Sequence, residues 1–406
     1  MLHLPPPRAA PMSTSAAPAP PLSPQHAAPL DAALDAALRQ QRLVGAVVLV
    51  AYRGACLYRR AAGWADREAQ RPMREDATFR LASVSKPIVA AAALALVAQG
   101  RLALDAPIAR WLPWFRPALP DGRVPDISLR QLLSHSAGLG YRFLEPADGA
   151  HARAGVSDGM DNSGLSLEDN LRRLAQVPLQ YAPGTGWGYS LAIDVAGAVL
   201  QAASGQPLPA LVRELVTAPL GMHATGFHAE DAARLAVPYV NGGPVPHRLG
   251  EGEVVAPFAD GAGIVFHPSR ALDPGAFASA GAGMVGSAGD LLRLLETLRR
   301  GGAPLLPSAL VAEMGRAQVG AFGPPDAPGW GYGLGFSVLH DPAPTATPEA
   351  PGTWRWGGAY GHSWFVDPAR QLSVVALSNT LYEGMSGTFV AALRDAAYAA
   401  VRGAAA

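Results

Sequence analysis

Apolar residues recur at helical spacing from Asp31 to Gln41, which predicts a short amphipathic helix. Two β-rich runs follow, Val44 to Tyr52 and Cys56 to Ala62, joined by the hairpin signal Arg53-Gly54. An unbroken apolar, alanine-rich stretch from Ile88 to Ala98 predicts a second, buried helix. Between Leu104 and Pro274 no strand pattern dominates; short helical stretches at Leu129–Leu133, Leu167–Ala175, Ala192–Ser204 and Leu208–Val216 alternate with Gly/Pro-rich loops. The tail returns to β structure. Tyr332–Leu339 reads as a strand and Thr353–Trp356 leads into Gly357-Gly358, while Ser363–Val366 and Ser373–Ser378 flank the turn Asp367-Pro368-Ala369-Arg370. An amphipathic helix from Thr388 to Val401 closes the chain. This order predicts an α+β fold: one antiparallel sheet flanked by terminal helices, with a mainly helical lobe inserted between its two halves. The expected division is an α/β domain from 30–103 and 275–406, an inserted helical lobe from 104–274, and a Pro/Ala/Ser-rich disordered leader over 1–29.

Composition narrows the function. Net charge is zero and only 16% of residues are charged, so neither a nucleic acid nor a basic partner is expected. The run Ile88–Ala98 is far short of the roughly 20 residues a membrane helix needs. The first residues lack the apolar core of a secretory signal, which makes a cytoplasmic location the expectation. The single cysteine, Cys56, allows no intrachain disulfide and reads as a packed strand residue.

One compositional feature points to chemistry. Lys86 is the only lysine, and every other cationic side chain is arginine. Arginine is effectively never deprotonated, whereas a desolvated lysine can be neutral and act as a base. Lys86 follows Ser83 by three positions and precedes Pro87, and proline is tolerated only in the first turn of a helix. A helix starting near Ser83 therefore puts the hydroxyl and the amine on one face, within reach of each other.

Two motifs compete with this pair. Gly155-Val156-Ser157-Asp158-Gly159 matches the nucleophile elbow of α/β hydrolases, but no strand precedes it. Gly281-Ala282-Gly283-Met284-Val285-Gly286 matches a dinucleotide fingerprint, but no parallel strand leads into it. It reads instead as a tight glycine loop followed by a helix capped by Ser287, with Asp290 as the capping partner. No cofactor and no metal is expected. His135 and His362 are not expected to be catalytic.

The segments Ser83-Val84-Ser85-Lys86, Tyr189-Ser190-Leu191 and Trp356-Gly357-Gly358 resemble, in order and spacing, the three motifs of the serine β-lactamase and penicillin-binding protein superfamily. Leu132-Leu133-Ser134-His135-Ser136-Ala137-Gly138-Leu139 and the glycine loop are similar to segments of its class C-like branch. The departures are informative. Leu191 stands where penicillin-recognising members carry asparagine, and Trp356 where they carry a cation for the substrate carboxylate. In these losses the chain resembles the family VIII carboxylesterases.

That resemblance implies a serine carboxylesterase acting on short-chain, neutral small-molecule esters. Ser83 would be the nucleophile, forming an acyl-enzyme. Lys86 and Tyr189 would share the proton transfers: the Lys86 charge would make the Tyr189 hydroxyl acidic enough to take the Ser83 proton, pass it to the leaving alcohol and then activate the deacylating water, the formal base of the two being left open. The amides of Ser83 and Ala359 would form the oxyanion hole, and Tyr141, Trp356, Gly357 and Gly358 would line the substrate site, the two glycines leaving it room. A β-lactamase or D-amino-acid peptidase and an acyltransferase could use the same trio, and a sensor that is acylated without turnover is the non-enzymatic alternative.

Overall fold

The computed structural model describes residues 21–243, 245–257, 261–320, 322–324 and 327–404. Its centre is an eight-stranded, wholly antiparallel sheet. Across the sheet the strands run Trp330–Tyr332, Ser337–Leu339, Trp354–Gly358, His362–Asp367, Leu372–Ser378, Gly45–Tyr52, Ala55–Asp66 and Arg71–Pro72. The two β regions of the sequence thus meet where Gly45–Tyr52 pairs with Leu372–Ser378.

These two central strands are apolar at nearly every position because both faces of the sheet are covered. Ala46, Val48 and Val50, with Leu372, Val374 and Ala376, pack under the terminal helices Pro24–Arg39 and Thr388–Ala404 through Leu30, Leu34, Phe389 and Leu393. Val47, Leu49, Val375 and Leu377 face the other way, into the larger core. Helices Ser85–Ala98 and Ala288–Arg299 belong to that second core. Helix Ser85–Ala98 is buried on every side from Ser85 to Leu96, so it needs no amphipathic stripe.

Several boundaries differ from expectation. Order does not begin at Leu30: the first helix starts at Pro24, so residues 21–29 of the expected leader are described and mostly helical, while 1–20 lie outside the described residues. Proline supplies the first helical position, and Leu22 and Ala27 pack against the core under the helix. Asp31 and Asp35 then tie the helix to the sheet through Arg60, at 2.8 and 2.6 Å. The run Tyr332–Leu339 is not one strand: residues 333–336 turn the chain between the hairpin strands Trp330–Tyr332 and Ser337–Leu339. At that turn Gly335 has φ +97° and lies against Ala90, where a Cβ would come within 2.8 Å. Within 104–274 the helices appear near their expected places, joined by two short hairpins, Tyr239–Val240 with His247–Arg248 and Glu253–Val255 with Ile264–Phe266. These strands of two or three residues are too short to leave a period in the sequence.

The glycine loop after 281 also contains a strand. Val285–Ser287 pairs with Thr78–Arg80, which brings the loop beside the turn that carries Ser83. Ser287 caps the following helix by accepting from the Asp290 amide at 3.2 Å. Cys56 lies half-buried in strand Ala55–Asp66, and burial raises its thiol above the ordinary range, which leaves it a poor nucleophile.

Leu34, fully buried between the first helix and the sheet, tests the importance of that layer. Leu34→Ala should lower unfolding stability by about 2–5 kcal/mol, measured by urea denaturation of the purified protein.

Candidate active site

The turn that carries Ser83 is held from both sides. The Leu81 amide donates to the Met284 carbonyl at 2.8 Å, and Ala82 adopts φ +45°, a costly left-handed conformation for a residue with a side chain. A single 3₁₀ turn, Ala82–Val84, feeds directly into the helix that begins at Ser85. Lys86 consequently lies one turn from Ser83, with Nζ 3.0 Å from Oγ. The amine also donates to the Gly281 carbonyl at 2.8 Å and lies 4.7 Å from the Tyr189 ring centre and 5.6 Å from that of Tyr141. It is completely buried. That burial pulls the Lys86 ammonium down to about 7, while the Asp194 carboxylate acts in the opposite sense.

Tyr189 reaches the same oxygen from the inserted region, its hydroxyl donating to Ser83 Oγ at 2.6 Å. The residues around it are pinned by backbone bonds, Gly188 N–H to His135 O at 2.9 Å and Leu191 N–H to Gly140 O at 3.1 Å. Its ring packs against Tyr141 at 5.0 Å, His135 at 4.8 Å and Trp356 at 5.4 Å. Here the structure corrects an expectation. Tyr189 is not made more acidic: burial pushes its hydroxyl above the ordinary tyrosine range despite the bond to Ser83. Desolvation opposes charge on both groups, so it lowers the amine and raises the phenol. Both groups are uncharged once pH rises above about 7.

Strand Trp354–Gly358, third in the sheet, borders the Ser83 turn, and the two glycines let it do so. A Cβ on Gly358 would lie 2.4 Å from the Leu81 carbonyl, and one on Gly357 would lie 2.7 Å from Met385. The expectation that these glycines leave room for substrate is therefore corrected: protein atoms occupy that space, and what the glycines permit is close approach of strand to turn. Neither the Ser83 amide nor that of Ala359, just past the strand, has an acceptor among the described residues. Trp356 is half-buried, its ring 5.0 Å from Tyr332. Tyr141 is almost wholly buried behind Tyr189, so it backs the site rather than forming an open wall. Leu191 is a core residue.

The remaining candidates separate cleanly from Ser83. His135 is buried with Nδ1 3.2 Å from Ser190 Oγ, and burial holds it neutral. His362 bonds the Arg80 carbonyl at 2.7 Å through Nε2. Ser157 lies in a loop, 3% exposed, where its hydroxyl accepts from the Gly159 amide at 3.0 Å and contacts Asp161. Three neighbours of the site went unnoticed in the sequence: Trp187, Tyr332 and Asp194. Asp194 left a signal, as the one acid in the apolar run Ala192–Leu200. The two aromatics left none, since nothing local shows where a ring will pack.

A serine held between a buried lysine and a tyrosine, on an antiparallel sheet with flanking helices, defines a serine acyl-transfer protein of the β-lactamase and transpeptidase fold. The Beta-lactamase family profile matches residues 30–399, and the chain belongs to that family. It is 56% identical to Esterase EstB of Burkholderia gladioli over 92% of this chain and 95% of that protein. It is 27% identical to Lovastatin esterase of Penicillium rubens, over 84% of this chain and 90% of that one. Among solved structures it resembles "EstCE1, a hydrolase with promiscuous acyltransferase activity", at 48% identity and a TM-score of 0.90, covering 92% of this chain and 98% of the other.

The lowered Lys86 sets the expected pH dependence. An amine that must be neutral to accept a proton gains activity as pH rises through about 7, whereas an ordinary lysine would require a far more alkaline medium. The kcat/KM for p-nitrophenyl butyrate should rise along an acid limb centred there. It should not fall again below the ordinary tyrosine range, because Tyr189 stays protonated.

Proposed function

We propose that this chain is a serine carboxylesterase that hydrolyses short-chain, neutral esters through an acyl-enzyme on Ser83. The observation that carries the reading is the convergence of Lys86 Nζ and the Tyr189 hydroxyl on Ser83 Oγ, at 3.0 and 2.6 Å. The neutral Lys86 amine takes the Ser83 proton as Oγ attacks the ester carbonyl. The amides of Ser83 and Ala359 receive the developing oxyanion. Tyr189, a phenol with its proton in place, gives that proton to the departing alcohol and is reprotonated from Lys86. The amine, neutral again, then serves the water that releases the acid.

The substrate class follows from the walls of the site. Trp356 and the Trp187 ring stacked 6.5 Å from Tyr189, both backed by the buried Tyr332, present apolar surface where a charged group would be desolvated without a partner. This favours uncharged acyl and alcohol groups. The balanced charge of the chain offers no attraction to nucleic acid, and among the described residues no helix is long and apolar enough to cross a membrane.

The test is a comparison of three variants with p-nitrophenyl butyrate. Ser83→Ala and Lys86→Arg should each lower kcat/KM by at least about a thousandfold, since one removes the nucleophile and the other cannot lose its proton. Ser157→Ala should remain within about threefold of the parent, the size of effect expected away from the chemistry. A dead Ser157→Ala beside an active Ser83→Ala would reverse the assignment.

Acyl transfer to an alcohol is a second outcome of the same acyl-enzyme, favoured by the likeness to EstCE1. Hydrolysis of a vinyl ester with an added primary alcohol should then yield new ester alongside free acid, measured by gas chromatography, and Ser83→Ala should yield neither.

A further inference from the structure

Asp194 is buried where a charge is costly, and the acyl-transfer steps leave it idle. It sits in the first turn of helix Ala192–Ser204, with no exposure, among Ala192, Ile193, Val195 and Ala196. Taking a carboxylate out of water carries a large penalty unless opposite charge or hydrogen bonds compensate. Compensation here is partial. Oδ1 accepts from the Gly281 amide at a long 3.4 Å, the Ser279 side chain lies close by, Oδ2 has no hydrogen-bond partner among the described residues, and burial raises the carboxyl against the pull of Ser279 and the Lys86 charge. The helix N-terminus adds a favourable field, but an asparagine or a leucine would fill the same space at lower cost.

What the free oxygen faces is the reaction centre. A Cβ on Gly281 would lie 3.2 Å from Asp194 Oδ2, 3.3 Å from the Tyr141 hydroxyl and 3.5 Å from Lys86 Nζ. Gly281 thus stands between carboxylate and amine, its N–H toward Asp194 and its carbonyl toward Lys86. The pair do not form a direct salt bridge. The other titratable groups nearby cannot substitute for the carboxylate. Tyr141 and Tyr189 are held protonated by burial and His135 is held neutral. Arg270, whose field also reaches Asp194, is a cation already occupied by the carbonyls of Asp161 and Phe277.

We propose that Asp194 is a positioning residue, the fixed counter-charge for the ammonium that Lys86 becomes when it takes the Ser83 proton. The inference rests on the acyl-enzyme reading above. As the Oγ–carbon bond forms, the carbonyl π pair moves onto oxygen and the Ser83 proton moves to Nζ, leaving a positive charge on a completely buried amine. A carboxylate across one glycine stabilises that charge. In direct contact it would instead hold the amine protonated at rest and so remove the base.

Asp194→Asn keeps the shape and removes the charge. The acid limb of kcat/KM should move to lower pH by about one unit or more, because the ammonium loses its stabilising partner. The alkaline plateau should fall by about tenfold, because the amine becomes a weaker base. An unmoved limb in a folded Asp194→Asn protein overturns the proposal, whatever the plateau does. If that variant does not fold, Asp194→Ser is measured in the same way, and failure of both to fold makes Asp194 a scaffold residue and also overturns it. Ser83→Ala run in parallel separates the two levels. Retained activity there removes the acyl-enzyme reading itself, whereas a dead Ser83→Ala beside an unmoved limb removes only the role of Asp194.

Discussion

An amine that is to exchange protons near neutrality must be taken out of water yet kept in contact with polar partners, and the packing around Lys86 meets both conditions. The helix that carries it is buried from Ser85 to Leu96, and two tyrosine rings and the Gly281 carbonyl close the remaining sides. Removing water lowers the amine because the charged form loses more solvation than the neutral one. The same desolvation raises Tyr189, so one physical cause sets two groups in opposite directions around one hydroxyl. Much else in the fold follows from the need to hold that arrangement.

The turn bearing Ser83 is where backbone precision is spent. Ala82 accepts a left-handed conformation, Gly358 allows strand Trp354–Gly358 to approach the Leu81 carbonyl, and the pairing of Thr78–Arg80 with Val285–Ser287 brings the Gly281 loop to the amine. The three segments that meet here, 78–86, 281–287 and 354–358, are far apart in the chain. The eight-stranded sheet, covered on both faces, supplies the rigid frame that lets parts so distant in sequence meet within hydrogen-bond distance.

The motif comparison turns on the same context. Ser157 and Ser83 both sit in recognisable nucleophile signatures, but the hydroxyl of Ser157 serves its own loop while that of Ser83 faces two side chains able to move its proton. The glycine run at 281–286 matches a dinucleotide fingerprint and, read alone, is a tight loop before a helix. In the structure its first carbonyl accepts from Lys86, and its second half is a strand. A short motif constrains the local backbone; its neighbours decide what it does.

The amino-acid sequence by itself determined the order of elements, the joining of two β regions in one antiparallel sheet, and the pairing of Ser83 with Lys86. Those features depend on side-chain period and on residues three apart in one helix, which are local properties. Asp31 to Gln41 also disclosed its helix, although not its start at Pro24, because that end is held by the sheet and the last helix rather than by periodicity. Tertiary structure alone decided the state of the Tyr189 hydroxyl, which burial raises and local charge does not lower. It alone filled the space beside Gly357 and Gly358, packed Trp187 and Trp356 against the buried Tyr332, and set Asp194 across Gly281 from the amine. Desolvation and close approach depend on what packs from elsewhere in the chain, and no run of residues carries that information.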